Sequence, residues 1–295
     1  MLIRDLKRKK DFLICIDSDG CLLDNMELKH KECFCPAFIN CWNLQAGSRY
    51  AREVWEFVNL YSSTRGTNRF PALVRALGLV SERKEIRQRG IQPFEVSDLR
   101  DWCEKTDNFS ESALASYIAS FTGKVPDDLE NALRWSKEVN ANILHTVRNI
   151  GPFPGVIEAI EAMSEYADVA VVSSTPQEAL IRELNNCRIL ECFDAVAGQE
   201  SGTKEVCVRT LIEKGGYEPD HVLKVGDAPG DYKAAMANGC LYYPIIPGHE
   251  SDSWDRLRET VLSLFIDGTY RGRQMDEYIK EFFSILPDNP LWQNE

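Results

Sequence analysis

The sequence lacks the features that mark membrane, exported and nucleic-acid-binding proteins. No stretch approaches the roughly 18 uninterrupted apolar residues of a membrane span. The apolar segment 12–16, which follows a basic N-terminal stretch, is too short for a signal peptide. Lys and Arg total 34 against 46 Asp and Glu, and this net charge of -12 argues against a nucleic-acid partner. We therefore expect a soluble, cytoplasmic protein that binds neither nucleic acid nor membrane.

Several common catalytic and nucleotide-binding motifs are also missing. No G-x-G-x-x-G occurs, and in GQESGTK (198–204) Thr203 separates Gly202 from Lys204, so this segment is not the phosphate loop G-x-x-x-x-G-K. The absence of G-x-S-x-G excludes the serine nucleophile elbow, and the four histidines are scattered. Any catalysis must therefore depend on other residue types.

Ten cysteines without an export signal are expected to be reduced rather than paired in disulfides. Four possible metal ligands, His30, Cys33, Cys35 and Cys41, lie close together in sequence. Their spacing matches neither a zinc finger nor a zinc ribbon, and cysteine is a commonly buried small hydrophobe. We interpret them as core residues, although a bound zinc ion is the alternative.

Alternating strand and helix patterns predict an α/β, Rossmann-like fold with a parallel sheet and helices on both faces. The predicted strands are 12–16, 169–174, 193–198, 222–227 and 241–246. Residues 25–150 have helical patterns instead, as at 48–61 and 127–149, and GPFPG (151–155) marks the return of the chain. The sequence thus predicts a core of 1–24 and 151–295 with an inserted helical cap of 25–150.

Polar residues stand where the predicted strands end. Because ligands of parallel sheets bind beyond the carboxyl ends of the strands, these side chains should meet there. They are Asp17, Asp19, Ser173, Lys204, Asp227 and Asp231. Crowded carboxylates need a cation to coexist, and Mg²⁺ prefers oxygen ligands of this kind.

These residues suggest a covalent mechanism for phosphoryl transfer. Asp17 would attack phosphorus, and Asp19 would protonate the leaving oxygen and then activate water. Asp17, the backbone carbonyl of Asp19, and Asp227 would hold Mg²⁺. Lys204 and Ser173 would bind the phosphoryl oxygens. Asp231 would orient Lys204 or a metal-bound water, and Gly20 would permit the sharp turn after the first strand.

Substrate-binding residues are predicted in two places. Ser174 follows Ser173 at the end of the second strand. In the cap, the polar segment SSTRGTNRF (62–70) contains Arg65, Asn68 and Arg69, which we expect to bind the substrate's own anionic or hydroxylated part. A surface loop with exposed arginines is an equally good interpretation of that segment.

The motifs DSDGCLLDN, VVSST, the lysine of SGTKEV and GDAPGDYKAA, in this order, resemble the haloacid dehalogenase superfamily. The resemblance implies a Rossmann-like core, Mg²⁺ and the roles just given. The position of the insertion, directly after the first motif, resembles that in family members with a helical cap, such as phosphoglycolate phosphatase and β-phosphoglucomutase. Family phosphatases and mutases have an acid at the position of Asp19. Cys21 and Ala228 stand where threonine and serine are usual.

We therefore predict a Mg²⁺-dependent hydrolase that cleaves a small phosphorylated metabolite through an aspartyl-phosphate. A phosphomutase of the β-phosphoglucomutase type, with the same first half-reaction, is the alternative enzyme. A non-catalytic binding protein on the same fold is the alternative from another class.

Overall fold

The computed structural model describes residue 3 and residues 6–294 of the chain. The strands of this part are β1 (Phe12–Ile16), β2 (Ala167–Val172), β3 (Ala195–Ala197), β4 (Val222–Gly226) and β5 (Leu241–Pro244). Its α-helices are α1 (Met26–Leu28), α2 (Cys35–Cys41), α3 (Ser48–Asn59), α4 (Arg69–Glu82), α5 (Lys84–Arg87), α6 (Ser97–Lys105), α7 (Glu111–Ala119), α8 (Asp127–Thr146), α9 (Val156–Ser164), α10 (Gln177–Asn186), α11 (Lys204–Gly215), α12 (Pro229–Ala237), α13 (Glu250–Arg256), α14 (Leu262–Ile266) and α15 (Arg273–Ser284). Lys29–Phe34 and Leu257–Val261 are π-helical, and single 3₁₀ turns occur at Gln45–Gly47, Leu190–Cys192, Gln199–Ser201, Pro219–His221 and Leu291–Asn294.

The chain divides into two compact units. The first comprises Met1–Met26 and Asn149–Pro287, and the second comprises Glu27–Arg148 and Asp288–Glu295. The predicted domains, 1–24 with 151–295 and 25–150, differ from these units chiefly at the C-terminal segment, and their roles as catalytic core and cap stay predictions. Of the predicted core, residues 1, 2, 4, 5 and 295 lie outside the described part.

Contacts made by aromatic rings explain why the C-terminal segment belongs to the helical unit. The ring of Trp292 lies 4.6 Å from the Arg83 guanidinium and 5.4 Å from the ring of Phe57. A large aromatic ring and a cation stabilise each other in this arrangement. No periodic pattern within the last eight residues could have indicated these partners, because they lie about 200 positions earlier.

The first unit is built on a parallel sheet with the strand order β3-β2-β1-β4-β5. β1 lies in the middle: Phe12 pairs with Ala167 of β2, and Leu13 pairs with Val222 of β4. The strands are largely apolar because helices cover both faces of a parallel sheet. The predicted α/β, Rossmann-like fold is confirmed.

Alternation of side chains along β1 divides its residues between two hydrophobic clusters. Ile14 and Ile16 belong to a cluster that includes residues of β2, α9 and α14. Leu13 and Cys15 belong to another, which includes residues of α11 and α12. Hydrophobic clusters therefore pack against both faces of the sheet.

The second unit is helical, and its core is rich in aromatic rings. Trp55 lies 5.6 Å from Trp135 and 5.0 Å from Phe38, measured between ring centroids, and all three are buried. The cysteines of the sequence cluster, Cys33, Cys35 and Cys41, are buried in this core. They pack as small hydrophobes, as the sequence predicted.

Among residue 3 and residues 6–294, no helix is both long enough and apolar enough to cross a membrane.

Candidate active site

The polar residues after β1, β2 and β4 lie at the carboxyl edge of the sheet. The Asp17 amide donates to the Val225 carbonyl at 3.0 Å, and the Ser173 amide donates to the Ala197 carbonyl at 2.9 Å. These bonds continue the strand ladders by one residue, so both side chains are fixed at the strand ends. In the sheet, β2 and β3 lie on one side of β1, whereas β4 and β5 lie on its other side. The strand order therefore reverses at β1, and open parallel sheets bind ligands at such a reversal.

Three carboxylates meet at this edge. Asp17, Asp227 and Asp231 each contribute an oxygen, and these oxygens lie within 4.8 Å of one another. The three residues are 5%, 1% and 0% exposed. Because buried like charges repel one another in a medium of low dielectric constant, this arrangement requires cations nearby.

Two lysines supply part of that positive charge. The Lys204 ammonium lies 3.0 Å from Asp17 Oδ2 and 2.9 Å from Asp231 Oδ1. The Lys224 ammonium lies 2.6 Å from the same Asp231 oxygen, and neither side chain of this pair is exposed. Asp231 thus pairs with both ammonium groups. Of the two lysines, only Lys204 pairs with Asp17.

The electrostatics of the two carboxylates differ accordingly. Burial, followed by repulsion from Asp231, raises the pKa of Asp17 to about 7, and Lys204 only partly offsets this. Burial alone would also raise the pKa of Asp231, but its ion pairs with Lys204 and Lys224 outweigh burial and lower the pKa. Asp231 is therefore a permanently ionised partner of the lysines. Asp17 needs a further cation to be fully ionised at neutral pH.

The start of α12 places Asp231 against β4. The Asp231 amide donates to the Ala228 carbonyl at 2.9 Å, and Pro229 occupies the first helical position, where its missing N–H costs nothing. A Cβ atom on Gly226 would lie 2.2 Å from Asp231 Cγ. Glycine at the end of β4 therefore leaves the space in which the buried carboxylate fits.

The Lys204 side chain starts from the N-terminus of α11. Thr203 caps this helix by accepting a hydrogen bond from the Val206 amide at 3.4 Å. Burial would lower the pKa of Lys204, but the charges of Asp17 and Asp231 outweigh burial and raise it. The ammonium therefore keeps its charge across the physiological pH range.

Asp19 is held by two hydrogen-bond donors. Asn25 Nδ2 donates to Asp19 Oδ1 at 2.8 Å, and Thr175 Oγ1 donates to Asp19 Oδ2 at 3.2 Å. Gly20, with a φ of 75°, adopts the left-handed conformation that the turn after Asp19 requires. The side chain of the predicted acid and base is thereby fixed on the same edge of the sheet as Asp17.

Ser173 and Ser174 have different surroundings. Ser173 Oγ lies 2.6 Å from Ser18 Oγ and accepts a hydrogen bond from the Thr175 amide at 3.1 Å, and both serines of this pair are buried. Ser174 is exposed. The two adjacent serines therefore differ in the groups that their hydroxyls can reach.

The donor set fits a hard dication such as Mg²⁺. Asp17, Asp227 and Asp231 form the one group of acidic, histidine or cysteine side chains with this geometry among residue 3 and residues 6–294. Their oxygens are the ligand type that Mg²⁺ prefers. Two of the three, Asp17 and Asp227, are predicted ligands; Asp231 Oδ1 pairs with both lysines, and Asp17 Oδ2 pairs with Lys204. The predicted third ligand, the Asp19 carbonyl, stays a prediction.

The predicted residues of segment 62–70 lie in the helical unit. Arg65 Nη1 donates to the Leu60 carbonyl at 3.0 Å. The Asn68 side chain caps α4 by accepting from the Phe70 amide at 3.1 Å. Arg69 Nη1 donates to Ser136 Oγ at 3.1 Å and to Asn140 Oδ1 at 2.9 Å. Each has a partner within its own unit, and a role in substrate binding stays a prediction.

The sequence patterns did not identify Lys224, Asn25, Thr175 or Ser18. A lysine inside the otherwise apolar strand VLKVG was a signal for the first, because a buried lysine needs a partner. Asn25 and Thr175 lie within the quoted motifs DSDGCLLDN and VVSST, but nothing in the spacing showed that both donate to Asp19.

Comparison with known proteins agrees with this geometry. The family model of the haloacid dehalogenase-like hydrolases matches residues 86–243, more than half of the chain. The match includes Ser173, Lys204, Asp227 and Asp231 and begins after β1. No curated protein sequence matches significantly.

Solved structures of three bacterial proteins are also similar to this chain. A haloacid dehalogenase-like family hydrolase from Streptococcus pneumoniae is 15% identical, with 84% of this chain and 91% of that chain covered and a TM-score of 0.45. A predicted phosphoglycolate phosphatase from Haemophilus somnus is 18% identical, with coverages of 81% and 86% and a TM-score of 0.48. A haloacid dehalogenase-like family hydrolase from Xanthomonas campestris is 13% identical, with coverages of 90% and 97% and a TM-score of 0.48.

These structural likenesses are too distant to carry functional detail, so the assignment depends on the family model. The resemblance that the four motifs indicated is confirmed at this level, and so is the prediction of a hydrolase. The chain belongs to the haloacid dehalogenase-like hydrolase family.

Proposed function

We propose that this protein is a Mg²⁺-dependent phosphatase that hydrolyses the phosphate monoester of a small metabolite through an aspartyl-phosphate on Asp17. The observation that carries the proposal is the position of the Asp17 carboxylate. It lies 3.0 Å from the Lys204 ammonium and beside the Asp227 and Asp231 oxygens, at the carboxyl edge of the sheet. Nucleophile, cation and acidic metal ligands are therefore close enough to act on one phosphoryl group.

The first half-reaction transfers the phosphoryl group to Asp17. An Asp17 oxygen forms a bond to phosphorus while the bond from phosphorus to the leaving oxygen breaks. Asp19, with its proton on a carboxyl oxygen, gives that proton to the leaving alcohol. Its hydrogen bonds with Asn25 and Thr175 keep the side chain in one orientation, which favours proton transfer at a defined place.

The second half-reaction returns the enzyme to its starting state. Asp19, now ionised, takes a proton from a water molecule as the water oxygen bonds to phosphorus. The bond between phosphorus and Asp17 breaks, which releases phosphate and a free carboxylate. One phosphate monoester and one water are consumed, and one alcohol and one phosphate are formed.

The remaining residues stabilise charge and bind oxygens. Lys204 offers its ammonium to an oxygen of the transferring group, because it already lies beside the nucleophile. Ser173 lies at the end of β2, where its hydroxyl can donate to another oxygen. Bound Mg²⁺, held by Asp17, Asp227 and the Asp19 carbonyl, would supply a Lewis acid that neutralises phosphoryl charge.

Substrate selection is assigned to polar groups outside this set. Ser174 is exposed beside Ser173 and is proposed to contact the substrate. Arg65, Asn68 and Arg69 are proposed to bind its anionic or hydroxylated part, since guanidinium groups bind carboxylates and phosphates well. The test compares the kinetics of Arg65→Ala and Arg69→Ala on the physiological substrate, found by screening phosphorylated metabolites. Unchanged catalytic efficiency in both variants would remove this assignment.

The activity itself is tested with p-nitrophenyl phosphate and Mg²⁺. We expect phosphate release by the wild type and a loss of at least about 10³-fold in Asp17→Asn, because the amide is not a nucleophile. Asp11→Asn is the matched control. It removes a carboxylate directly before β1 rather than directly after it, and Asp11 is exposed and paired with Arg8. Its activity should equal that of the wild type.

The covalent step has a separate test. Denatured enzyme, quenched during turnover of a ³²P-labelled substrate, should carry label that is released by hydroxylamine, as an acyl phosphate is. Absence of label in the wild type under single-turnover conditions would contradict the aspartyl-phosphate. Transfer of label to a sugar phosphate rather than to water would favour the mutase over the phosphatase.

A further inference from the structure

Lys224 has an unusual position for a charged side chain. It lies in the middle of β4, in register with Cys15 of β1 and Tyr242 of β5, and is 0% exposed. Cys15 and Tyr242 belong to the hydrophobic cluster on that face of the sheet. Burial of a lysine among such residues is strongly unfavourable unless its charge is paired, and valine or leucine would suit a parallel strand better.

The ammonium of Lys224 is paired at the active site. It lies 2.6 Å from Asp231 Oδ1 and donates to the Val225 carbonyl at 3.0 Å. The lysine thus begins inside the apolar sheet and ends at the catalytic edge. A side chain needed only for sheet packing has no reason to reach the acidic cluster.

The ion pair between Lys224 and Asp231 completes an alternation of positive and negative charges at the site. Lys204 lies 2.9 Å from the Asp231 oxygen that Lys224 approaches at 2.6 Å, and 3.0 Å from Asp17 Oδ2. The charges therefore alternate along the row Lys224, Asp231, Lys204, Asp17. Without Lys224, the full charge of Asp231 would attract Lys204 away from Asp17, and the acidic cluster would carry one more negative charge.

We propose that Lys224 is a positioning residue for the hydrolysis, which rests on the function proposed above. It neutralises Asp231, so that Lys204 stays available to Asp17 and the phosphoryl group, and it limits the negative charge that the site presents to a dication. Lys224 does not contact the substrate. It acts through the carboxylate that it shares with Lys204.

The experiment compares Lys224→Met with the wild type, because methionine keeps an unbranched side chain of similar length without the charge. Mg²⁺ alone is titrated into the substrate-free protein, and the dissociation constant is measured by calorimetry or from the thermal shift. We expect Lys224→Met to bind Mg²⁺ about five-fold more tightly, since the site has gained one net negative charge. With p-nitrophenyl phosphate at saturating Mg²⁺, kcat should fall about ten-fold or more while KM changes less than about two-fold.

Two further variants separate positioning from general effects. Lys9→Met also removes a lysine from an ion pair of 2.6 Å, with Asp194. Lys9 precedes β1 and Asp194 precedes β3, so this pair lies at the opposite ends of the strands from the acidic cluster. The dissociation constant for Mg²⁺ and kcat should therefore be unchanged. In Lys224→Met/Asp231→Asn the carboxylate that Lys224 neutralises is itself removed. The Mg²⁺ affinity of this double variant should return to within about two-fold of the wild type.

The outcomes distinguish the ideas. Equal or weaker Mg²⁺ binding in folded Lys224→Met overturns the role of Lys224, whatever the activity of the wild type. Tighter Mg²⁺ binding without phosphatase activity in the wild type supports the charge effect and contradicts the proposed function. If Lys224→Met does not fold, Lys224→Gln, which retains a hydrogen-bond donor, gives the same comparison, and unaltered Mg²⁺ affinity and kcat there would again overturn the proposal.

Discussion

The substitution Gly226→Ala tests how tightly Asp231 is confined. A Cβ at this position would lie 2.2 Å from Asp231 Cγ and 2.5 Å from Asp231 Cβ and Oδ2, whereas ordinary contact begins at 3.4 Å. Asp231 would have to shift by roughly 1 Å, and its two ion pairs, at 2.6 and 2.9 Å, would open. The glycine has no positive φ, so the whole effect is steric.

The expected cost follows from these contacts. Displacing one member of a buried, paired set of charges destabilises a protein by about 3–5 kcal/mol. A unit of this size loses about 2–4 °C in melting temperature per kcal/mol, so Gly226→Ala should melt roughly 10 °C lower. Phosphatase activity should fall with it, because Lys204 loses one of its two anchors.

Gly230→Ala is the matched control for this test. Gly230 lies in α12 close to Asp231, but a Cβ there meets nothing within 4 Å. Alanine should therefore leave stability unchanged or raise it slightly, since glycine is the poorer helix former. The melting temperatures of both variants are measured by differential scanning fluorimetry without Mg²⁺. Equal melting temperatures would show that Asp231 is not confined as described.

Three further predictions concern the same edge of the sheet. In the metal-free protein, the pKa of Asp17 is raised to about 7, chiefly by burial, so the free energy of unfolding should decrease as pH rises from about 4 to 7. Asp17→Asn should flatten this part of the curve in urea melts, and an unaltered slope would contradict the pKa. Thr175→Val should lower kcat about three- to ten-fold, because Asp19 loses a donor at 3.2 Å, whereas Thr210→Val, in α11, should not. Removal of Mg²⁺ with EDTA should abolish turnover. Adding Mg²⁺ back should raise the melting temperature of the wild type but not that of Asp227→Asn.

Most of the sheet could be predicted because its strands are short apolar runs between turn residues. FLICI was predicted as 12–16 and forms β1 over the same residues. The third strand was predicted as 193–198 but extends only from Ala195 to Ala197. Residue pairing with β2 begins at Ala195, and propensity alone does not show where a partner strand allows pairing.

The candidate site was harder to predict in full, because side-chain partners depend on tertiary contacts. Placing carboxylates at strand ends needed only the rule for parallel sheets. Recognising Lys224 as the partner of Asp231 required the register of β4 and the path of α12 together. Even the period of two along VLKVG shows only which residues share a face, not which distant carboxylate the lysine reaches.

The central place of β1 also determines when the proposed active site can form during synthesis of the chain. Its hydrogen-bonding partners are strands that begin at Ala167 and Val222, so the ribosome must make most of the chain before either edge of β1 is satisfied. Until then FLICI is an apolar segment with two open edges, the kind of sequence that associates with other chains. A nascent or truncated chain that ends before residue 222 therefore carries Asp17 without Lys224, Asp227 and Asp231. Such a chain would need chaperones to prevent aggregation and would lack the proposed phosphatase activity.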